Sequence, residues 1–191
     1  MSRIDTLRIS YTALSLWERG DTQGFMDYMN GVRFESTRQM QEGQDYDARA
    51  CDEAVKNKRL LPEFGWYELK NPQPQLKLSI ELTTPSGVHF TLVGVIDIYD
   101  DGLVYELKTG SMPSSSYART KQTRIYALLC KLNGLPVTGM RIARYDQYHN
   151  KADVHKMLLG EHMMRVTLRD IMRSVDEMQV FLNALKGEQH A

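Results

Sequence analysis

Hydrophobic and polar positions alternate most regularly in the middle of the chain. Leu76, Leu78, Ile80 and Leu82 recur at every second residue, which puts four apolar side chains on one face of a strand. Pro85-Ser86-Gly87 turns the chain into a second apolar run over residues 88–97, and Asp100-Asp101-Gly102 turns it again into 103–109. Three runs joined by short turns predict an antiparallel meander. Helical spacing governs the flanks. Ser10 can cap a helix through Trp17, and the chain stays helical to Tyr28 apart from a break over 20–24. A second, polar helix starts at Ser36 and runs toward Asn57. Residues 62–65 read as a loop and 66–69 as a short strand. Ser114-Ser115-Ser116 leads into a helix striped by Ile125, Leu128, Leu129 and Leu132 and ended by Gly134. Residues 140–148 and 152–159 form another strand pair around His149-Asn150-Lys151. A last helix carries Leu168, Ile171, Met172, Val175, Met178, Leu182 and Leu185 at core spacing.

This order predicts an α+β fold, a central mixed sheet with an antiparallel meander flanked by helices. A length of 191 residues suits one domain over 1–191. Within it, 1–62 is a helical N-terminal part, 63–160 holds the sheet and core helix, and 161–191 is the C-terminal helix. Lys+Arg and Asp+Glu both total 24, so any nucleic-acid contact must come from a local field rather than net charge. Cys51 and Cys130 are too few and too far apart for a disulfide framework or zinc motif, and read as small buried hydrophobes. No apolar run reaches membrane-spanning length and the N-terminus lacks a signal peptide's apolar stretch, so a cytoplasmic location away from membranes is expected. No Gly-rich phosphate loop is present, which excludes an ATP-driven helicase activity from this chain.

The candidate chemistry sits in the second and third runs of the meander. Val104, Glu106 and Lys108 share one strand face, while Tyr105 and Leu107 point to the other. Asp97 closes the preceding run and lies beside Glu106 if the register puts both on one face. Two carboxylates held close repel unless a cation lies between them, and oxygen ligands suit Mg²⁺ or Mn²⁺. Acids, cation and lysine together can hold a phosphodiester. The tripeptide Glu68-Leu69-Lys70 repeats the Glu-x-Lys spacing without its surroundings: Asn71-Pro72 follows at once, so this copy reads as a solvated strand edge.

Gly94 and Asp97, then Glu106-Leu107-Lys108-Thr109-Gly110, then Gln122 and Tyr126 four residues apart on a helix, resemble the PD-(D/E)XK nuclease superfamily. The nearest likeness is to its RecB-type branch of phage exonucleases and CRISPR-adaptation nucleases. Ile9-Ser10-Tyr11, Glu18-Arg19-Gly20, Phe25 and Tyr28 resemble that branch's N-terminal helix, and Met40, Gly43 and Asp47 its second helix. The resemblance covers roughly the first two-thirds of the chain. It implies a restriction-endonuclease-like fold and a DNA exonuclease working on ends or single strands in phage or bacterial recombination, repair or replication. It implies Asp97, Glu106, Lys108, Gln122 and Tyr126 as catalytic residues, with Asp97, Glu106 and the carbonyl of Leu107 as ligands for one or two Mg²⁺ or Mn²⁺ ions. Asp47 stands where a metal-binding His is common. It either ligates the ion or is a helix-surface Asp. Gly20 occupies the place of the first cysteine of the iron–sulfur relatives, and two cysteines cannot supply a four-thiolate cluster.

Other groups keep two readings. Arg119, Lys121 and Arg124 crowd the start of the Gln122 helix as phosphate contacts or as a solvated basic face, and Lys56, Lys58 and Arg59 have the same ambiguity. Arg165, Arg169 and Arg173 form the wet face of the last helix, the five histidines have surface roles, and Met26, Met29, Met163, Met164, Met172 and Met178 fill core. A homo-oligomer or a phage or host recombination partner stays open. Two alternatives compete with the enzyme: a nuclease-fold module that only binds nucleic acid or a partner, and a plain α+β domain with Asp97 and Glu106 far apart.

Overall fold

The computed structural model describes residues 6–32, 37–65 and 67–188. The predicted meander is present as β2 (Pro72–Thr83), β3 (His89–Asp100) and β4 (Leu103–Thr109). Asp101 and Gly102 both take positive φ (45° and 88°) in the two-residue turn between β3 and β4. Such a turn matches the right-handed strand twist and favours Gly at its second position. β5 (Gly139–Asp146) and β6 (Lys151–Met157) form the second antiparallel pair. A short strand, β1 (Leu7–Ile9), precedes the helices and pairs parallel with Phe90, Thr91 and Leu92.

The fold is α+β, a mixed six-stranded sheet in the order β1-β3-β4-β5-β6 with β2 also on β3. β4 and β5 run parallel, joined by α4 (Ser114–Tyr117) and α5 (Lys121–Leu132) as the crossover that a parallel pair requires. β2 follows one edge of β3 over nearly its whole length. The other edge is shared: β1 takes residues 90–92 and β4 takes 98–100. Residues 93–97 of β3 therefore face a gap in the sheet among the described strands.

Helices cover both faces. α1 (Tyr11–Glu18), α2 (Thr22–Met29), α5 and α6 (Glu161–Glu188) pack one face through Leu14, Phe25, Ile125, Leu129, Ile171 and Val175. α3 (Arg38–Asn57) covers the other through Tyr46, Ala50 and Ala54, against Ile98, Tyr105 and Leu107. Each large side chain buried this way contributes about 1.5–3 kcal/mol, more than a polar helix such as α3 gains from propensity alone.

Several expectations change. The presumed single helix after Ser114 is two, because Thr120 is extended (φ −70°, ψ 153°) and caps α5 afresh. Residues 66–69 are not a strand among the described residues: Glu68 makes only an isolated bridge to Arg59, and Trp66 lies outside them. Ser36 also lies outside the described residues; the described start of α3 is capped by Thr37, whose hydroxyl accepts from the Met40 amide. Asp97 does not end its strand, since β3 continues to Asp100. Cys130 is buried as expected, but Cys51 is only half-buried.

Candidate active site

Asp97 sits where β3 loses its regular alternation. Phe90, Leu92 and Ile96 face the α5 side, yet Ile98 faces the α3 side beside Tyr105. The β2–β3 ladder skips one step here, opposite Gln75, which takes φ 51°. A residue at such a break is freed from the pleat. Asp97 uses that freedom to reach across the gap, and its Oδ2 accepts from the backbone N–H of Leu107 at 2.7 Å. The β3–β4 ladder ends with Ile98 opposite Tyr105, so the next step sets Asp97 against Glu106. In an antiparallel register a residue's N–H and carbonyl leave the strand on the same edge. The Leu107 carbonyl therefore opens onto the same gap.

Glu106, Lys108, Gln122 and Tyr126 form one connected chain. Lys108 Nζ lies 2.5 Å from Glu106 Oε1 and donates to Gln122 Oε1 at 3.3 Å. Gln122 Nε2 in turn donates to the Tyr126 hydroxyl at 3.1 Å. The pairing of Gln and Tyr four apart on α5 thus places both on the helix face that meets β4. Gly94 makes this approach feasible. A Cβ there would lie 2.7 Å from Leu129 Cδ1 and 3.2 Å from the Tyr126 ring.

The electrostatics are those of anions crowded in a poorly hydrated site. Glu106 is 1% exposed, and its Oε2 has no hydrogen-bond partner among the described residues. Burial, then the charge of Asp97, pushes Glu106 up to about 8 against the pull of Lys108. Burial also raises Asp97, although the Leu107 amide and Lys108 oppose the shift. Asp47 on α3 is raised to about 7 by burial and then by Asp97. Burial alone would lower Lys108, but Glu106, Asp97 and Asp47 hold it above its usual value. Tyr126 is raised by burial and then by Glu106. Asp97 and Glu106 are neighbours, so the arrangement required of a plain α+β domain with these residues far apart is not found.

A cavity of about 420 Å³ opens between α3 and α5, walled by Asp47, Leu107, Lys108 and Gln122 with Tyr11 and Tyr117. A neighbouring groove of about 520 Å³ shares Tyr11 and Gln122 and runs along the gap past Gly94 to Ser10. Ser10 caps α1 and also bonds the Tyr28 hydroxyl at 2.7 Å. Among the described residues, no three His, Cys, Asp or Glu side chains are already gathered around one point as metal ligands. The donor set is nevertheless all oxygen, with Glu106 Oε2 unpartnered and three carboxylates raised. That chemistry fits a hard divalent cation.

Arg119, Lys121 and Arg124 do not line the cavity. Lys121 pairs with Glu18 at 2.6 Å, Arg119 is exposed, and Arg124 is half-buried on α5. Lys56 and Arg59 pair with Asp52 and Glu53. Glu68-Leu69-Lys70 is remote from this chemistry, with the Lys70 ammonium exposed and paired with Asp101 at 3.0 Å. Further residues at the site were not singled out as such from the sequence. Tyr117 walls the cavity, Gln75 stands opposite Asp97, and the Cys51 thiol points at the Asp97 carbonyl at 4.0 Å.

No protein-family model and no curated protein matches the chain by sequence. Solved structures do match its fold. The alkaline exonuclease LHK-Exo of Laribacter hongkongensis, in complex with dAMP, superposes with a TM-score of 0.60 at 11% identity, covering 95% of this chain and 93% of that one. A second structure of LHK-Exo gives 0.58 at 10% identity, covering 96% and 93%. A protein of Eubacterium rectale, provisionally described as an exonuclease, gives 0.58 at 14% identity, covering 95% and 82%. The chain shares the fold of these structures.

Proposed function

We propose that residues 1–191 act as one nuclease domain, a Mg²⁺- or Mn²⁺-dependent exonuclease on DNA ends or single strands. Its setting would be recombination, repair or replication in the cytoplasm of a bacterial or phage-infected cell. The observation that carries this reading is the trio in the sheet gap: Asp97 set against Glu106 with the Lys108 ammonium beside them. A structural ion pair needs neither the second acid nor the buried, unpartnered oxygen of Glu106. The exonuclease fold of LHK-Exo, solved with dAMP, supports a nucleotide substrate.

Asp97, Glu106 and the Leu107 carbonyl would hold the cation, and Asp47, which feels the charge of Asp97, would have to move toward them to join. When bound, a divalent cation supplies charge neutralisation at the phosphate and lowers the pKa of a water. The remaining work belongs to the chain. Lys108, fully protonated in this acidic setting, donates to the attacking water or to the phosphate oxygen on which charge develops. Gln122 holds the Lys108 ammonium by its carbonyl and the Tyr126 hydroxyl by its amide, fixing both toward the scissile backbone. The Leu107 amide fixes the Asp97 rotamer.

A binding-only module is the second reading, favoured by the absence of three gathered ligands among the described residues. End-labelled linear and circular DNA, single- and double-stranded, incubated with Mg²⁺, Mn²⁺ or chelator separates the two. Metal-dependent loss of linear but not circular DNA supports the exonuclease. Binding without cleavage under every condition leaves the module.

A further inference from the structure

The turn between β5 and β6 holds an aromatic ring out into solvent beside the proposed catalytic cavity. Tyr148 is 90% exposed, the most exposed large hydrophobic side chain among the described residues. Tyrosine rings ordinarily cover apolar surface and leave only the hydroxyl wet. The backbone beneath this ring is firmly held. Asp146 accepts from the amides of Tyr148 and His149 at 3.1 and 3.2 Å, and from His149 Nδ1–H at 2.8 Å. Arg144 secures Asp146 from below at 3.3 Å. An exposed ring on a fixed turn has only two side-chain torsions to lose on contact, so it binds at small entropic cost.

Its position relates it to the reaction. Tyr148 and Gln147 wall a cavity of about 320 Å³ whose other side is Thr109, Met112 and Tyr117. Thr109, Met112 and Tyr117 also wall the cavity that holds Lys108 and Asp47. The two cavities thus share one rim, and Met112, 54% exposed, adds a soft apolar contact there.

We propose that Tyr148 is a stacking platform for a nucleobase of the substrate strand, close to the nucleotide whose phosphate reaches Lys108. The inference rests on the nuclease reading and deepens it. It assigns the second cavity to an unpaired base, because a base within a duplex stack has both faces already covered by its neighbours. Stacking of this kind tolerates any base, since every base offers a π-face.

The test uses full-length Lys108→Ala protein, which should bind without cutting, and single-stranded oligonucleotides carrying 2-aminopurine at successive positions. Fluorescence should be quenched at one position near the end. Adding Tyr148→Ala should remove that quenching and weaken binding about tenfold, while adding Tyr148→Phe, which keeps the ring, should preserve both. Equal affinity and an unchanged quenching profile with Tyr148→Ala would overturn the platform. Failure of the parent protein in chelator to bind any single- or double-stranded oligonucleotide would instead overturn the nuclease reading beneath it.

Discussion

The Asp97 carboxylate bonds the backbone amide of Leu107 at 2.7 Å, replacing a ladder hydrogen bond that β3 does not supply at this point. One side chain therefore completes the sheet and stands beside Glu106. Asp97→Asn retains an oxygen for that amide, whereas Asp97→Ala leaves a buried N–H unpaired, at a cost of about 1–3 kcal/mol. Both variants should lose cleavage, and Ala should unfold at lower denaturant than Asn. Urea titrations of the two proteins in chelator check the order; equal midpoints would mean the bond carries no weight.

Lys108 joins Glu106 on β4 to Gln122 on α5. Its removal should cost about 100-fold or more in cleavage rate, the scale found when one transition-state donor is deleted. Metal affinity, read by calorimetry with Mn²⁺, should survive. A Lys108→Ala protein cutting at the parent rate contradicts the assigned role.

Much of this site was legible from the chain because it is local. Residues 88–109 are one hairpin, so the Asp101-Gly102 turn alone sets Asp97 against Glu106. Gln122 and Tyr126 share a helix face by periodicity. What was hidden depends on distant partners. β1 is three residues long, too short to show alternation, and exists because β3 offers it an edge more than eighty positions away. The break at Asp97 opposite Gln75 leaves no mark in composition, since a non-glycine residue carries the positive φ. Ser, Tyr and Ala give no stop signal ahead of Thr120, so the residues from Ser114 onward carry no local mark of two helices.

The raised carboxylates set a pH dependence with a definite sign. Glu106 titrates at about 8 and Asp47 at about 7 in the folded chain, against roughly 4 when unfolded. The folded protein thus keeps protons that the unfolded chain has released. The stability these two groups contribute is fully present below about pH 4 and is lost as pH rises through 7 to 8. In chelator the wild type should lose on the order of a few kcal/mol between about pH 5 and 8.5. Glu106→Gln should show a flatter profile, and Mg²⁺ at the alkaline end should stabilise the wild type more than this variant. Parallel profiles for the two proteins in chelator would remove Glu106 as the source.

Arg144 organises the chain between β4 and α5 from behind. It donates to the Gly110 carbonyl at 3.3 Å and pairs with Asp153 at 2.6 Å, while Asp153 also accepts from the Ser114 hydroxyl. Arg144→Met keeps the length but removes the guanidinium that pairs with Asp146 and Asp153, so in urea titrations the variant should unfold at lower denaturant than the parent. Arg144→Lys, which keeps the charge but not the fork, should recover part of the difference.

Gly94 offers the sharpest test of how α5 is placed. It has no Cβ, and that absence lets Leu129 and the Tyr126 ring close onto β3. In Gly94→Ala the new methyl meets Leu129 at 2.7 Å and the Tyr126 ring at 3.2 Å, so the helix must shift or the side chains must leave their rotamers. Overpacking of this kind costs about 1–3 kcal/mol. Tyr126 moves with its helix, and Gln122 lies one turn away on the same face, so the contact from Gln122 to Lys108 should loosen as well. The variant should therefore lose cleavage beyond what its stability loss explains. Cleavage measured well below the unfolding temperature decides the matter: a fully folded Gly94→Ala protein with the parent's rate would show that Tyr126 and Gln122 need no fixed distance from β3.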